Sequence, residues 1–110
     1  MTPSPTPRNG DLVASADMPA ALTAGPLVFR DGAMQVFTVD GATTYFERGR
    51  KTVGEWSVVT DGKFCSFWPP DERTTYTLTW IVEGSSPTGL RFAQDGGSLR
   101  FDGRYRPRSW

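Results

Sequence analysis

Few side chains here are suited to covalent or acid–base chemistry. The chain has no histidine and a single cysteine, Cys65. The commonest general base, the commonest transition-metal ligand and the usual near-neutral pH switch are therefore missing together. Cys65 stands between Phe64 and Ser66, with no histidine in the chain and no cation beside it in sequence to activate it, so it reads as a small buried hydrophobe and not a nucleophile. Asp71 and Glu72 adjoin each other after two prolines, whereas glycoside hydrolysis needs carboxylates opposed across a sugar. Gly96 and Gly97 precede no helix that could form a phosphate site. These residues predict no catalysis, no metal and no cofactor.

Recognition chemistry is better represented. Arg48, Arg50 and Lys51 put three cations within four residues, more than a hairpin turn requires. Trp68 precedes Pro69 and Pro70, which end any ladder because neither has an N–H to donate. Rigid aromatics lose little entropy on binding and dominate interfaces. The candidate site therefore takes Tyr45 and Trp68 as apolar anchors, with Arg48, Arg50 and Lys51 as orienting charges for an anionic or amphiphilic small ligand or an acidic protein. The plainer alternative is a solvated loop beside a Trp68 that folds back to plug a barrel end. A second basic excess, Arg100, Arg104, Arg106 and Arg108 against Asp102, reads as a fraying tail.

The elements that must position these groups are strands. Five Asp-Gly pairs, at 31–32, 40–41, 61–62, 95–96 and 102–103, punctuate short aromatic and β-branched segments. Asp-Gly suits tight hairpins because glycine takes positive φ freely and aspartate bonds nearby amides. In the best-patterned strand Tyr76, Leu78, Trp80 and Val82 share one face, expected to be buried, and Thr75, Thr77 and Thr79 share a wet one. Asp71, Glu72 and Arg73 are expected in a loop. One short helix is expected near 18–24, with Pro19 in its first turn and Gly25 as its stop. Seven or eight strands joined in order close most naturally into a small antiparallel up-and-down barrel, with a small sandwich as the competing architecture. Gly54 is expected to admit a neighbouring strand, Trp56 to pack at the barrel base, and the aromatics to fill the interior. The domain expected over 15–106 follows a disordered, proline-spaced leader over 1–14 and precedes a tail over 107–110.

Twelve basic residues balance twelve acidic ones, which argues against general nucleic-acid binding, since gripping phosphates needs a net positive field. No apolar run reaches about 18 residues, so no membrane-spanning helix is expected. The first residues lack the basic and apolar regions of a signal peptide. The expected compartment is the cytoplasm, or outside it for a mature chain whose export signal has been removed.

Leu22 and Gly25, Gly54 and Trp56, Asp61 through Cys65, Trp68 and Tyr76 form a pattern that resembles a family of small lipocalin-like proteins. That family is common in alphaproteobacteria, usually exported, and without assigned activity. The resemblance covers about residues 17–105 and implies a calycin-type barrel and a periplasmic location. Many members carry a second cysteine where this chain has Thr75, so the resemblance does not extend to a disulfide. The functional reading placed first is a binding or inhibitor-type module. A structural protein that forms a weak homodimer through an exposed barrel face is second, and an enzyme third.

Overall fold

From Leu27 onward the sequence alternates with period two, and each alternating run becomes one strand. The computed structural model, which describes residues 7–59 and 62–106, contains β1 (Leu27–Phe29), β2 (Met34–Phe37), β3 (Ala42–Glu47), β4 (Arg50–Val59), β5 (Lys63–Trp68), β6 (Glu72–Glu83), β7 (Ser86–Gln94) and β8 (Arg100–Tyr105). Every strand pairs antiparallel with its neighbours in sequence, and β8 returns to β1 to close an eight-stranded barrel. A 3-10 turn, Ser15–Asp17, leads into α1 (Met18–Thr23), which has proline in its first turn.

The Asp-Gly pairs at 31–32, 40–41 and 95–96 lie between consecutive strands, as expected, and Gly32, Gly41, Gly62 and Gly96 all take positive φ, while Asp61 of a fourth pair lies outside the described residues. The fifth does not turn. Asp102 and Gly103 lie inside β8, where a methyl on Gly103 would stand 2.9 Å from the Phe29 ring. Glycine is needed there for close approach across the barrel wall. The loop expected at Asp71–Arg73 is also shorter than that, because Trp68 pairs with Glu72 and Phe67 with Arg73. The hairpin uses only Pro69, Pro70 and Asp71.

One end of the barrel is filled. Met18, Leu22, Leu27, Leu78, Leu90 and Phe92 are each at most 1% exposed and form one cluster with Phe37 and Phe64. The apolar face of α1 plugs this end, and the Tyr105 hydroxyl donates to the Ala21 carbonyl at 2.6 Å to tie the last strand to the helix. In β6, Leu78 is fully buried while Tyr76 and Trp80 pack against the cluster, as the alternation predicts. The phase then slips: a register shift at Ile81/Val82 leaves Ile81 buried and Val82 only half-buried.

The segment expected as leader is docked along part of its length. β6 pairs with β5 only through Tyr76, so its later residues have a free edge on that side. Residues 9–13 cover that edge: Gly10 N–H donates to Trp80 O, Trp80 N–H to Asp11 O, and Val13 N–H to Leu78 O. The Asn9 side chain accepts from Val82 N–H, and Val13 is 2% exposed in the core. Unpaired backbone groups on β6 attract this chain, a demand invisible in the leader's own composition. Residues 1–6 and 107–110 lie outside the described residues, and Arg108 with them.

Leu78→Ala should destabilise the fold by about 2–5 kcal/mol in urea titration, since Leu78 is fully buried in the core and its truncation leaves a cavity there. Thr77→Ala, on the opposite face, should stay within about 0.5 kcal/mol. Equal losses would contradict the assigned facing.

Candidate functional site

In an up-and-down barrel alternate hairpins share an end, so the β1–β2, β3–β4, β5–β6 and β7–β8 hairpins gather opposite α1. That end is open. A cavity of about 900 Å³ enters it, walled by the rings of Phe29, Tyr45, Trp68, Tyr76 and Phe101. The interior is thus half filled, which corrects the expectation that dense aromatics would occupy all of it. The rings stand around the wall in edge-on pairs: Phe29 to Phe101 at 5.5 Å, Tyr76 to Phe101 at 5.6 Å and Tyr45 to Trp68 at 6.3 Å between centroids. Each anchors its neighbour at the wall. The mouth is slanted, because β6–β7 pairing ends at Tyr76–Gln94, Asp95 N–H of the β7–β8 hairpin donates to Thr75 O at 2.8 Å, and Glu72–Thr74 continue beyond that hairpin.

Gly54 and Trp68 act together. The Trp68 indole lies over Gly54, where an added methyl would fall 2.5 Å from its ring. Trp68 is half-buried in the cavity wall. It neither plugs the barrel end nor stands free at its rim. Trp56 sits toward the filled end against Phe37 at 6.1 Å, with its Nε1–H donating to Thr38 O, so the base position expected for it holds.

The cavity also has a polar lining that was not among the expected site residues. Gln35 is 7% exposed and donates through Nε2 to the Thr43 hydroxyl at 2.9 Å, which in turn donates to Val36 O at 3.0 Å. That chain fixes the carboxamide against the cavity. Ser66 and Thr52 add hydroxyls, and Arg30, Asp31 and Glu72 stand at the rim. Alternation places Gln35 inward with Phe37, and this signal was available in β2.

The five expected site residues divide. Tyr45 and Trp68 meet in the cavity wall. Arg48 and Gly49 form the two-residue β3–β4 turn, with φ of 50° and 78°, the backbone of a type I′ hairpin. Arg50 pairs with Glu47 and shares a strand face with Thr52, while Lys51 pairs with Phe46 on the outer face. All three cations are exposed, and none lines the cavity. Cys65 is buried, with the Arg73 guanidinium 4.0 Å from its sulfur.

Burial shapes the phenols. Desolvation, aided by a 3.2 Å hydrogen bond to Glu47, pushes Tyr45 up to about 12. Burial alone lifts Tyr105 to about 12. Tyr76 is also raised, chiefly by burial, with the Thr74 and Ser66 side chains acting in the opposite direction.

No protein-family model matches the chain, and no curated protein or solved structure does either.

Alkali should unfold this protein through its phenols. In the folded chain Tyr45 and Tyr105 hold their protons to about 12, against 10.0 for a free phenol. The unfolded state therefore loses protons first, and stability complete below pH 10 falls as pH rises toward 12. Absorbance near 295 nm should show delayed ionisation of these two tyrosines. Tyr105→Phe should reduce the alkaline loss while costing about 1 kcal/mol at neutral pH.

Proposed function

We propose that the protein is a binding module that holds a small ligand in the open half of its barrel. The observation that carries this reading is the cavity of about 900 Å³ walled by Phe29, Tyr45, Trp68, Tyr76 and Phe101. Its volume lies in the range of small-molecule sites, and a mostly apolar lining with a few fixed polar groups is their usual composition. Five rings favour a ligand with an aromatic or aliphatic body, and Gln35 offers a positioned carboxamide for a polar edge. Rim charge is mixed, with Arg30 against Asp31 and Glu72, so the cavity favours a ligand whose interior portion is uncharged.

The test is titration with N-phenyl-1-naphthylamine, a neutral apolar fluorophore. Saturable binding should weaken about tenfold in Trp68→Ala, on the scale of one lost aromatic contact. Trp56→Phe, altered at the filled end, should bind as wild type does. Absence of saturable binding, or equal effects of the two changes, would contradict the reading.

A second reading is favoured by the outer face of β3 and β4, where Phe46 is 36% and Val53 56% exposed. Apolar groups left on a sheet face invite a partner, and a second copy of this chain is the simplest. Light scattering on a concentration series should then report a dimer that Phe46→Ser disperses. A monomer at all concentrations would remove this alternative.

A further inference from the structure

Barrel closure gathers arginines that are far apart in sequence. Outside the seam of β1 and β8 runs a groove of about 1010 Å³ bordered by Arg30, Arg91, Arg100, Arg104 and Arg106, with Asp102 the one carboxylate among its lining residues. Five of the twelve basic residues of a chain with no net charge thus face one concavity. Its floor is apolar, formed by Val28, Phe29, Phe101 and Tyr105.

Among the described residues, ion pairs engage Arg91 and Arg104 but not Arg30 or Arg100. Asp102 is held in two bonds by Arg91, at 2.7 and 3.0 Å, and Glu83 stands 3.5 Å from Arg104. Arg30 enters no ion pair among the described residues, and Arg100 bonds only the carbonyls of Gly97 and Leu99. The tail expected to fray is in fact a closing strand: β8 pairs with both β7 and β1, and Arg106 N–H donates to Pro26 O.

We infer that this groove is a docking surface for an acidic, extended polypeptide segment of a partner protein, on the outer side of the wall it shares with the cavity. Guanidinium forks match carboxylates in bidentate geometry, and the apolar floor accepts the hydrophobic side chains that alternate with acidic ones in an extended chain. β1 pairing reaches β8 only from Gly103 onward, which leaves Arg100–Asp102, paired with β7, without a strand neighbour on the β1 side. Single-stranded nucleic acid fits less well. Phe29 and Phe101 pack edge to face, and Phe101 stacks on Phe92 at 4.9 Å, so one face of Phe101 is already covered and the groove floor offers less free ring surface than a base-stacking platform. A bilayer fits less well than a chain, because the basic surface is concave.

Fluorescence anisotropy with a short labelled peptide alternating Glu and Val tests the surface. The Lys–Val counterpart, oligo-dT and phosphatidylglycerol vesicles serve as competitors for the assignment. The Glu–Val peptide should bind best, more weakly as salt is added. Arg30→Gln with Arg100→Gln should weaken it about tenfold, the scale of two charge-assisted bonds at a partly exposed site. Arg48→Gln with Arg50→Gln, at the hairpin tip, should leave it unchanged. Tighter binding of oligo-dT or vesicles, or indifference to the groove variant, would overturn the inference. Amide shifts of the wild-type protein give a second readout that needs no variant. Peptide-induced shifts confined to Val28–Arg30 and Arg100–Arg104 support the assignment, and shifts confined elsewhere refute it.

Discussion

Three residue pairs decide whether this sheet is a barrel: Leu27 with Tyr105, Val28 with Arg104, and Phe29 with Gly103. Without them β1 and β8 would each present an open edge, and the interior would be one face of a curled sheet. Closure is bought with glycine. Gly89 and Gly103 face each other so closely that a methyl on Gly89 would stand 2.1 Å from the Gly103 carbonyl oxygen, while Gly103 also passes beneath Phe29. Both recognition surfaces depend on this seam. Phe29 and Phe101 line the cavity on its inner side and floor the arginine groove on its outer side.

The two halves of the interior meet different physical demands. At the helix end every inward residue finds apolar partners, from Val13 in the docked N-terminal segment through Leu22 of α1 to Phe92 of β7. At the mouth no element among the described residues plays the part of α1. The rings there pack sideways against one another and leave the axis open. Gly54 makes this arrangement possible, since the Trp68 ring occupies the space a side chain on β4 would otherwise take. Gln35, bonded to Thr43 in the wall, is a polar group that a fully filled interior would not accommodate without further partners.

Much of the fold was legible because its causes are local. Asp-Gly turns and the alternation of Tyr76, Leu78 and Trp80 act within a few residues, and they located strands and facing. The misreadings have long-range causes. Asp102-Gly103 carries the letters of a turn, yet Gly103 serves a strand 74 residues away in sequence, through Phe29. The leader boundary at residue 14 fell too late because the edge of β6 that captures residues 9–13 is free only once β5 has ended. In the site, Gly54 and Trp68 were each conspicuous, but their contact follows from β4–β5 pairing. The hairpin cations stood out as a run, whereas Arg30 and Arg100 become neighbours of one groove only through closure.

Native-state hydrogen exchange at the seam tests closure most directly. If the barrel is closed, amides of Leu27–Phe29 and Gly103–Tyr105 that bond across it should exchange only with global unfolding, at the free energy of the most protected amides of β6 and β7. Exchange of both segments at much lower free energy, while β6 and β7 stay protected, would show an open sheet. The cavity and groove described here would then lack their common wall.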